Sequence, residues 1–397
     1  MRVIDYYIGI PLCMLASVWL RLLKFFSFAR IEAGPPKKVV FLELSEMGSA
    51  ILVDSALRWT KAQGAEIYFV IFKRNVGSLR LLGTVPEKNL FLIRENNLML
   101  FAWDSLQYLL WCRRHDIDAI VDLELFSRYT SLLTAFSGAR ERIGFHAFHN
   151  EGLYRGEVLT RKVAYNPHLH IAKNFMALVK SLFEKTADIP FYKGEILDSE
   201  IVAAQAQVTE ASKARVLAAM GKYVERPEQV KWILLNCAGG EFLPQRRWPV
   251  AHYAKLAQMI LDRHPGTKIL LTGSPQEREE VDPIRVKASR EDVINFAGDI
   301  LFEDLTALYT LSHVMITNDS GPAHFASTTK MQTFVFFGPE TPKLYGALGN
   351  FTPISANFAC SPCVTAFNHR KTPCEDNRCL QVITPEQVYE MILPCLA

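Results

Sequence analysis

The chain lacks an excess of either charge: 44 basic residues nearly cancel 41 acidic ones among 397. No chain-wide field exists to gather a polyanion, so nucleic acid is not an expected partner. An apolar run of ordinary membrane-spanning length is missing as well. The most hydrophobic stretch, Tyr6 to Leu20, falls short of the roughly 20 residues a span needs, and Pro11 within it predicts a kink. No small-x-small cleavage site follows, and a strand pattern begins almost at once at Val39, which argues against a removed signal peptide. Little in the composition argues for disorder. At 49% apolar residues the chain is rich enough, and long enough, for two ordinary domains.

The charge excess that does exist is local. Residues 1–38 carry Arg2, Arg21, Lys24, Arg30, Lys37 and Lys38 against only Asp5 and Glu32, a net of +4, which leaves about −1 for the remainder after subtraction from the formal +3. Basic residues beside a short apolar segment predict a membrane-associated helix within residues 1–36. It would lie in or dip into the bilayer, with arginines and lysines on anionic head groups.

From Val39 onward, short apolar runs alternate with amphipathic stretches, the pattern of a parallel sheet with crossover helices. Val39–Leu44, Glu66–Phe72 and Ala119–Leu123 read as strands of a first domain, residues 37–205. The pattern restarts in a second, residues 206–397, with Trp232–Asn236, Lys268–Thr272, Val293–Phe296, Val314–Thr317 and Thr333–Phe337. Tyr253, Leu256, Ala257, Ile260 and Leu261 fall on one helical face, and Pro249 suits the start of that helix. The expected fold class is α/β, two Rossmann-like domains facing a central cleft, where open sheets bind ligands at strand carboxyl ends.

Three turns of the second domain carry candidate chemistry. Ile316-Thr317-Asn318-Asp319-Ser320-Gly321-Pro322-Ala323-His324 is a strand running into a small-residue turn and a helix. Backbone N–H groups of Ser320 and Gly321 there suit a diphosphate, with Asp319 as the alternative N-cap. Asn236-Cys237-Ala238-Gly239-Gly240, followed by Gln245-Arg246-Arg247-Trp248-Pro249, joins a small-residue strand end at Gly239 to two arginines. Their forks match phosphate oxygens, although adjacent arginines are also common on solvated surfaces. In Thr272-Gly273-Ser274-Pro275-Gln276-Glu277, the Glu277 carboxylate suits either a ribose hydroxyl or a helix first turn.

In order and content these turns, with Phe336-Phe337-Gly338-Pro339-Glu340-Thr341-Pro342 and the first-half segments Asp118–Leu123 and Ser137–Phe145, resemble glycosyltransferase family 9, the heptosyltransferase family of lipopolysaccharide assembly. The resemblance implies a GT-B fold and inverting transfer without a catalytic metal or other required cofactor. It also implies an ADP-linked heptose-like donor, a glycolipid or glycan acceptor, and work at the cytoplasmic face of the inner membrane. It assigns phosphate binding to Asp319, Ser320, Gly321 and His324, and help in holding the diphosphate to Arg246, with Arg247 beside it.

One departure stands out. The family's first-strand loop commonly ends in Gly-Asp, whose carboxylate serves as the proposed general base, but here the pair is Gly48-Ser49. A positioned base is worth roughly 10²- to 10⁴-fold in rate, so either another carboxylate replaces it or the chain binds a nucleotide-sugar without turnover. Glu46 on the same loop is the nearest replacement. Ser49, Asp122 and Arg128 are candidate acceptor contacts, and Glu43 and Glu124 are further acids nearby. A sugar-nucleotide epimerase shares the two-domain architecture but needs no membrane segment. Finally, Cys360-x2-Cys363-x10-Cys374-x4-Cys379 has a spacing compatible with a structural zinc site, or with free thiols in a reducing compartment.

Overall fold

The computed structural model describes residues 5, 7–26, 34–125, 127–146, 154–184, 192–238, 243–365, 368 and 370–396. Two compact units emerge, Met1–Val202 with Ala366–Arg370, and Ala203–Thr365 with Lys371–Ala397. The second unit therefore gives five residues of its late sequence to the first.

The first unit holds a six-stranded sheet of β1 (Lys38–Leu42), β2 (Glu66–Phe72), β3 (Leu90–Ile93), β4 (Ala119–Asp122), β5 (Glu141–His146) and β6 (Arg161–Ala164), in the order β3-β2-β1-β4-β5-β6. The second holds β7 (Lys231–Asn236), β8 (Thr267–Thr272), β9 (Val293–Asn295), β10 (Val314–Asn318), β11 (Gln332–Phe337) and β12 (Phe351–Ser355), in the order β12-β11-β10-β7-β8-β9. Every pairing is parallel. The two orders are the same doubly wound path. In each, the first strand lies mid-sheet, the chain winds to one edge, then crosses back to build the other. The reversal leaves a crevice at the carboxyl ends of β1 and β4, and another at those of β7 and β10, the positions where such sheets bind ligands. The central strands are continuous buried runs, as two-sided coverage requires: Val39, Val40, Phe41 and Leu42 are wholly buried, as are Val314, Met315 and Ile316.

The apolar N-terminal stretch forms helix Gly9–Phe26. Pro11 falls in its first turn, where the missing N–H has no intrahelical partner to lose. Cys13, Ala16 and Ser17 make a small-residue face that buries against helix Arg128–Phe136 and the segment before β6, with Leu20, Leu132, Ala135, Val158 and Leu159 filling the contact. The Ser17 hydroxyl donates to the Cys13 carbonyl at 2.6 Å and accepts the Glu157 N–H at 2.7 Å. Asp5 caps helix Arg128–Phe136, accepting from the N–H groups of Arg128 (3.0 Å) and Tyr129 (2.8 Å). Among the described residues no helix joins β5 to β6, and the N-terminal helix covers that part of the unit. Among them, too, no helix is long and apolar enough to cross a membrane.

Gly156 adopts a left-handed φ of +78°, and a Cβ there would lie 2.7 Å from the Cys13 carbonyl oxygen and 2.8 Å from the Ser17 hydroxyl. Gly156→Ala is expected to destabilise the first unit by about 2–4 kcal/mol through backbone strain and overpacking. Urea unfolding of the full chain measures this, and a change of only a few tenths would mean that the helix is not docked there.

Candidate functional site

In the second unit the site is assembled around one buried amide. The Asn318 side chain, at the end of β10, is wholly buried. Its Oδ1 accepts from the Trp248 N–H (3.0 Å) and the Tyr253 hydroxyl (3.1 Å), and its Nδ2 donates to the Cys237 carbonyl at 2.7 Å. The ends of β7 and β10 and the loop before helix Val250–Arg263 are thereby fixed to one another. Trp248 seals the arrangement. It stacks on Phe336 with centroids 4.5 Å apart, meets Tyr253 edge-on at 4.8 Å, and donates its indole N–H to the Ile383 carbonyl at 2.9 Å.

Two residues before that anchor, Arg246 lies against Asp319. Its Nε is 3.7 Å from the Asp319 carboxylate and its Nη1 donates to the Asp319 carbonyl at 3.4 Å. Its Nη2 is hydrogen-bonded to Glu340, a buried acid just after β11. Ser320 precedes the short helix Gly321–Ala326, donates its hydroxyl to the Asn318 carbonyl at 3.1 Å, and is followed one turn on by the buried His324. Arg246, Asp319, Ser320, Gly321 and His324 thus share the crevice at the carboxyl ends of β7 and β10. Arg247 is turned to Glu280 at 3.0 Å. Glu277 sits beyond β8, where one oxygen accepts the Ser274 N–H at 2.7 Å, in the position of a first-turn acid. Gly239 lies outside the described residues.

In the first unit, Glu124 organises the loop after β1. Its Oε1 accepts the N–H groups of Leu44 (3.0 Å) and Ser45 (3.1 Å) and the Ser45 hydroxyl at 2.8 Å. The loop then delivers Glu46 to the start of helix Met47–Leu52, with its side chain 44% exposed. Ser49, standing where the family commonly has its acid, donates to Glu46 Oε2 at 3.2 Å, and Arg370 bonds the other oxygen. A hydroxyl and a guanidinium therefore hold the one acid of this loop that faces solvent.

Two of the expected acceptor contacts are buried and held by partners within the unit. Asp122 is wholly buried, hydrogen-bonded to Arg155, and burial raises its pKa against the lowering effect of that arginine. Arg155 also donates to the Ser127 carbonyl (2.9 Å) and the Thr130 hydroxyl (2.9 Å), knitting β4 to the helix that follows. Arg128 is 3% exposed beneath the N-terminal helix, with its Nε on the Tyr154 carbonyl at 2.8 Å and Asp5 at its other side. A side chain covered by Gly9 is not presented to an acceptor. Arg155, Arg370, Asn318 and Glu340 were not singled out in the sequence, because each acts through a partner far away along the chain.

The four clustered cysteines carry free thiols, Cys360 exposed and Cys363, Cys374 and Cys379 partly buried. Burial raises the Cys379 thiol pKa, and the three other thiols are close enough to push it the same way. Among the described residues, however, no group of three or more His, Cys, Asp or Glu is arranged to hold a metal ion. Hydrogen bonds order the segment: the N–H groups of Cys363 and Val364 both reach the Pro339 carbonyl at 2.9 Å, and Gln245 donates to the Cys374 carbonyl at 2.8 Å.

Two doubly wound parallel sheets of one strand order, the second with an arginine and an Asp-Ser-Gly turn at its switch point, define a two-unit Rossmann-type α/β protein. Residues 112–372 match glycosyltransferase family 9 (heptosyltransferase), and the chain belongs to that family. It is 26% identical over 229 residues to lipopolysaccharide heptosyltransferase 2 of Escherichia coli, covering 56% of this chain and 59% of that protein. It is 31% identical over 173 residues to lipooligosaccharide heptosyltransferase 2 of Haemophilus influenzae, covering 42% and 46%. The chain thus spans about half the length of the curated relatives it matches. Among solved structures, E. coli ADP-heptose lps heptosyltransferase II shares the fold with a TM-score of 0.70 at 20% identity, over 90% of this chain and 98% of that one. E. coli heptosyltransferase WaaC with ADP does so with a TM-score of 0.61 at 14% identity, over 90% and 99%.

Glu43, at the end of the first strand's buried run, is itself buried, and desolvation together with the carboxylates of Glu124, Glu46 and Asp122 holds its pKa well above the ordinary 4.5. Between the unfolded and folded values the native state keeps a proton the unfolded chain releases, so stability falls as pH rises through that window. Glu43→Gln is expected to remove that loss, making the variant more stable than the parent at neutral and alkaline pH. Denaturant midpoints measured from about pH 5 to pH 9, roughly the range across which buried acids of raised pKa titrate, test the sign. Parallel curves for the two proteins would refute it.

Proposed function

We propose that the chain is an inverting, metal-independent glycosyltransferase. It takes a heptose-like sugar from an ADP-linked donor to a lipopolysaccharide or other lipid-linked glycan at the cytoplasmic face of the inner membrane. Family membership supports the reaction class, and the names of the relatives support the donor and acceptor classes. The observation that carries the reading is the crevice of Arg246, Asp319, Ser320 and Gly321 at the switch point of the second sheet.

The chemistry follows from where charge moves. The acceptor hydroxyl attacks the anomeric carbon, the bond to the nucleotide diphosphate breaks on the opposite face, and negative charge grows on the leaving phosphate. Arg246 meets that charge with an oriented guanidinium, and backbone N–H groups of Ser320 and Gly321 add fixed dipoles. Glu340 keeps Arg246 pointed into the crevice when no ligand is present. Glu46 takes the acceptor proton, positioned by Ser49 and Arg370. A second reading, donor binding without turnover, is favoured by that same Arg370 contact, since a guanidinium on a carboxylate stabilises its ionised form and weakens it as a base.

Calorimetric titration with ADP, UDP and GDP is expected to show selective ADP binding, and Arg246→Ala to weaken it by at least about tenfold. Silence with all three nucleotides would remove the donor assignment. In transfer assays Glu46→Gln is expected to lower kcat by roughly 10²- to 10⁴-fold with donor affinity unchanged. An unaltered kcat would exclude Glu46 as the base, and absence of turnover in the parent would leave the binding-only reading.

A further inference from the structure

Two helices of the first unit leave apolar faces uncovered. Helix Gly9–Phe26 buries Cys13, Ala16 and Ser17 and turns Leu12, Leu15, Trp19 and Leu22 outward. Helix Leu98–Arg114 buries Tyr108 and Cys112 but exposes Met99, Trp103, Leu106 and Leu110. Those four stand at i, i+4, i+7 and i+11, a single stripe along the helix. Trp103 is 57% exposed and Met99 82%, far more than side chains of a finished apolar face.

The two helices belong to one layer. Helix Arg128–Phe136 packs on the first helix through Leu132 and Ala135, and on the second through Tyr129 and Leu133. Charge distinguishes what covers them. The two helices together contain a single carboxylate, Asp104, which is buried and chelated by Arg94 at 2.6 and 2.8 Å. Arg21, Lys24, Arg113 and Arg114 are all exposed near the helix ends. Arg113 also donates to the Phe136 carbonyl at 2.9 Å, which ties the basic end of the second helix to the helix between them.

We propose that the two stripes form one docking surface for a bilayer containing anionic lipid, with both helices lying in the interfacial plane. Their apolar side chains enter the acyl boundary, Trp19 and Trp103 sit at head-group level, and the four cations meet lipid phosphates. A second copy of the chain is the weaker occupant, because a two-fold contact would bring these cations toward their own copies with no exposed carboxylate on either helix to answer them. The surface deepens the membrane placement in the proposed function, yet its geometry is independent of the donor site.

The test mixes the full chain with vesicles of phosphatidylcholine, with or without phosphatidylglycerol, and reads the bound fraction by flotation. Binding is expected to anionic vesicles and to weaken with added salt. The triple variant Met99→Ser, Trp103→Ser, Leu106→Ser is expected to lower partitioning by at least about tenfold, while its thermal melting and ADP titration match the parent. Partitioning equal to the parent would assign binding to the N-terminal helix alone and overturn the joint surface. A parent that ignores both vesicle types also overturns it, and a dimer dissolved by the triple variant would identify a second copy as the occupant. Vesicle binding with no ADP binding would sink the donor reading and leave the surface standing.

Discussion

The Asn318 side chain is the constraint from which the second unit's site follows. A backbone strand end has no means of fixing the direction of a neighbouring loop, because its own hydrogen bonds run sideways to other strands. An amide buried at that end does, since it has two kinds of hydrogen-bonding group and each must be satisfied away from water. Asn318 meets the demand with the Trp248 N–H, the Tyr253 hydroxyl and the Cys237 carbonyl. The loop carrying Arg246 is thereby pinned beside Asp319, and the arginine's reach is set before any ligand arrives. Breaking one partner would leave the others buried and unmet, at a cost of about 1–3 kcal/mol each.

The first unit solves a different problem. Its crevice at β1 and β4 is crowded with acids, and they are kept apart in role by what surrounds them. Asp122 is matched by Arg155, Glu124 by the N–H groups and hydroxyl of the β1 loop, and Glu43 has its pKa raised by burial among the others. Only Glu46 is left facing water, with Ser49 and Arg370 steering it. The loss of an acid at position 49 is therefore accompanied by a hydroxyl that donates to the acid three residues earlier.

Much of this was legible in the sequence where burial is two-sided. The central strands β1, β2, β4, β7, β8, β10 and β11 are unbroken apolar runs, and their ends announce the crevices. Strands β6 and β12 escaped notice because they are edges, where Arg161 and Lys162 or a proline such as Pro353 is tolerated and the apolar run is interrupted; β5 is broken by Arg142 and Gly144, and the edge strand β3 is only four residues long. The Asp319-Ser320-Gly321 turn was readable because its residues act locally. The burial of Arg128 was not readable for the opposite reason: at a strand-to-helix junction it has the address of a ligand contact, and the N-terminal segment, more than a hundred residues away in sequence, covers it.

That distance has a consequence for how the chain is made. Contacts of the N-terminal helix span 115 residues to Arg128 and 140 to Glu157, so the segment synthesised first must wait for β5 and its sequel before it can dock. Until then an apolar helix with no partner is exposed beside the growing chain, a state prone to aggregation or capture. Shortening the protein to residues from Val39 onward would not simply free a soluble unit. It would uncover Ala135 and Val158 and strip Arg128 of Asp5, turning part of a finished interior into a new and sticky exterior.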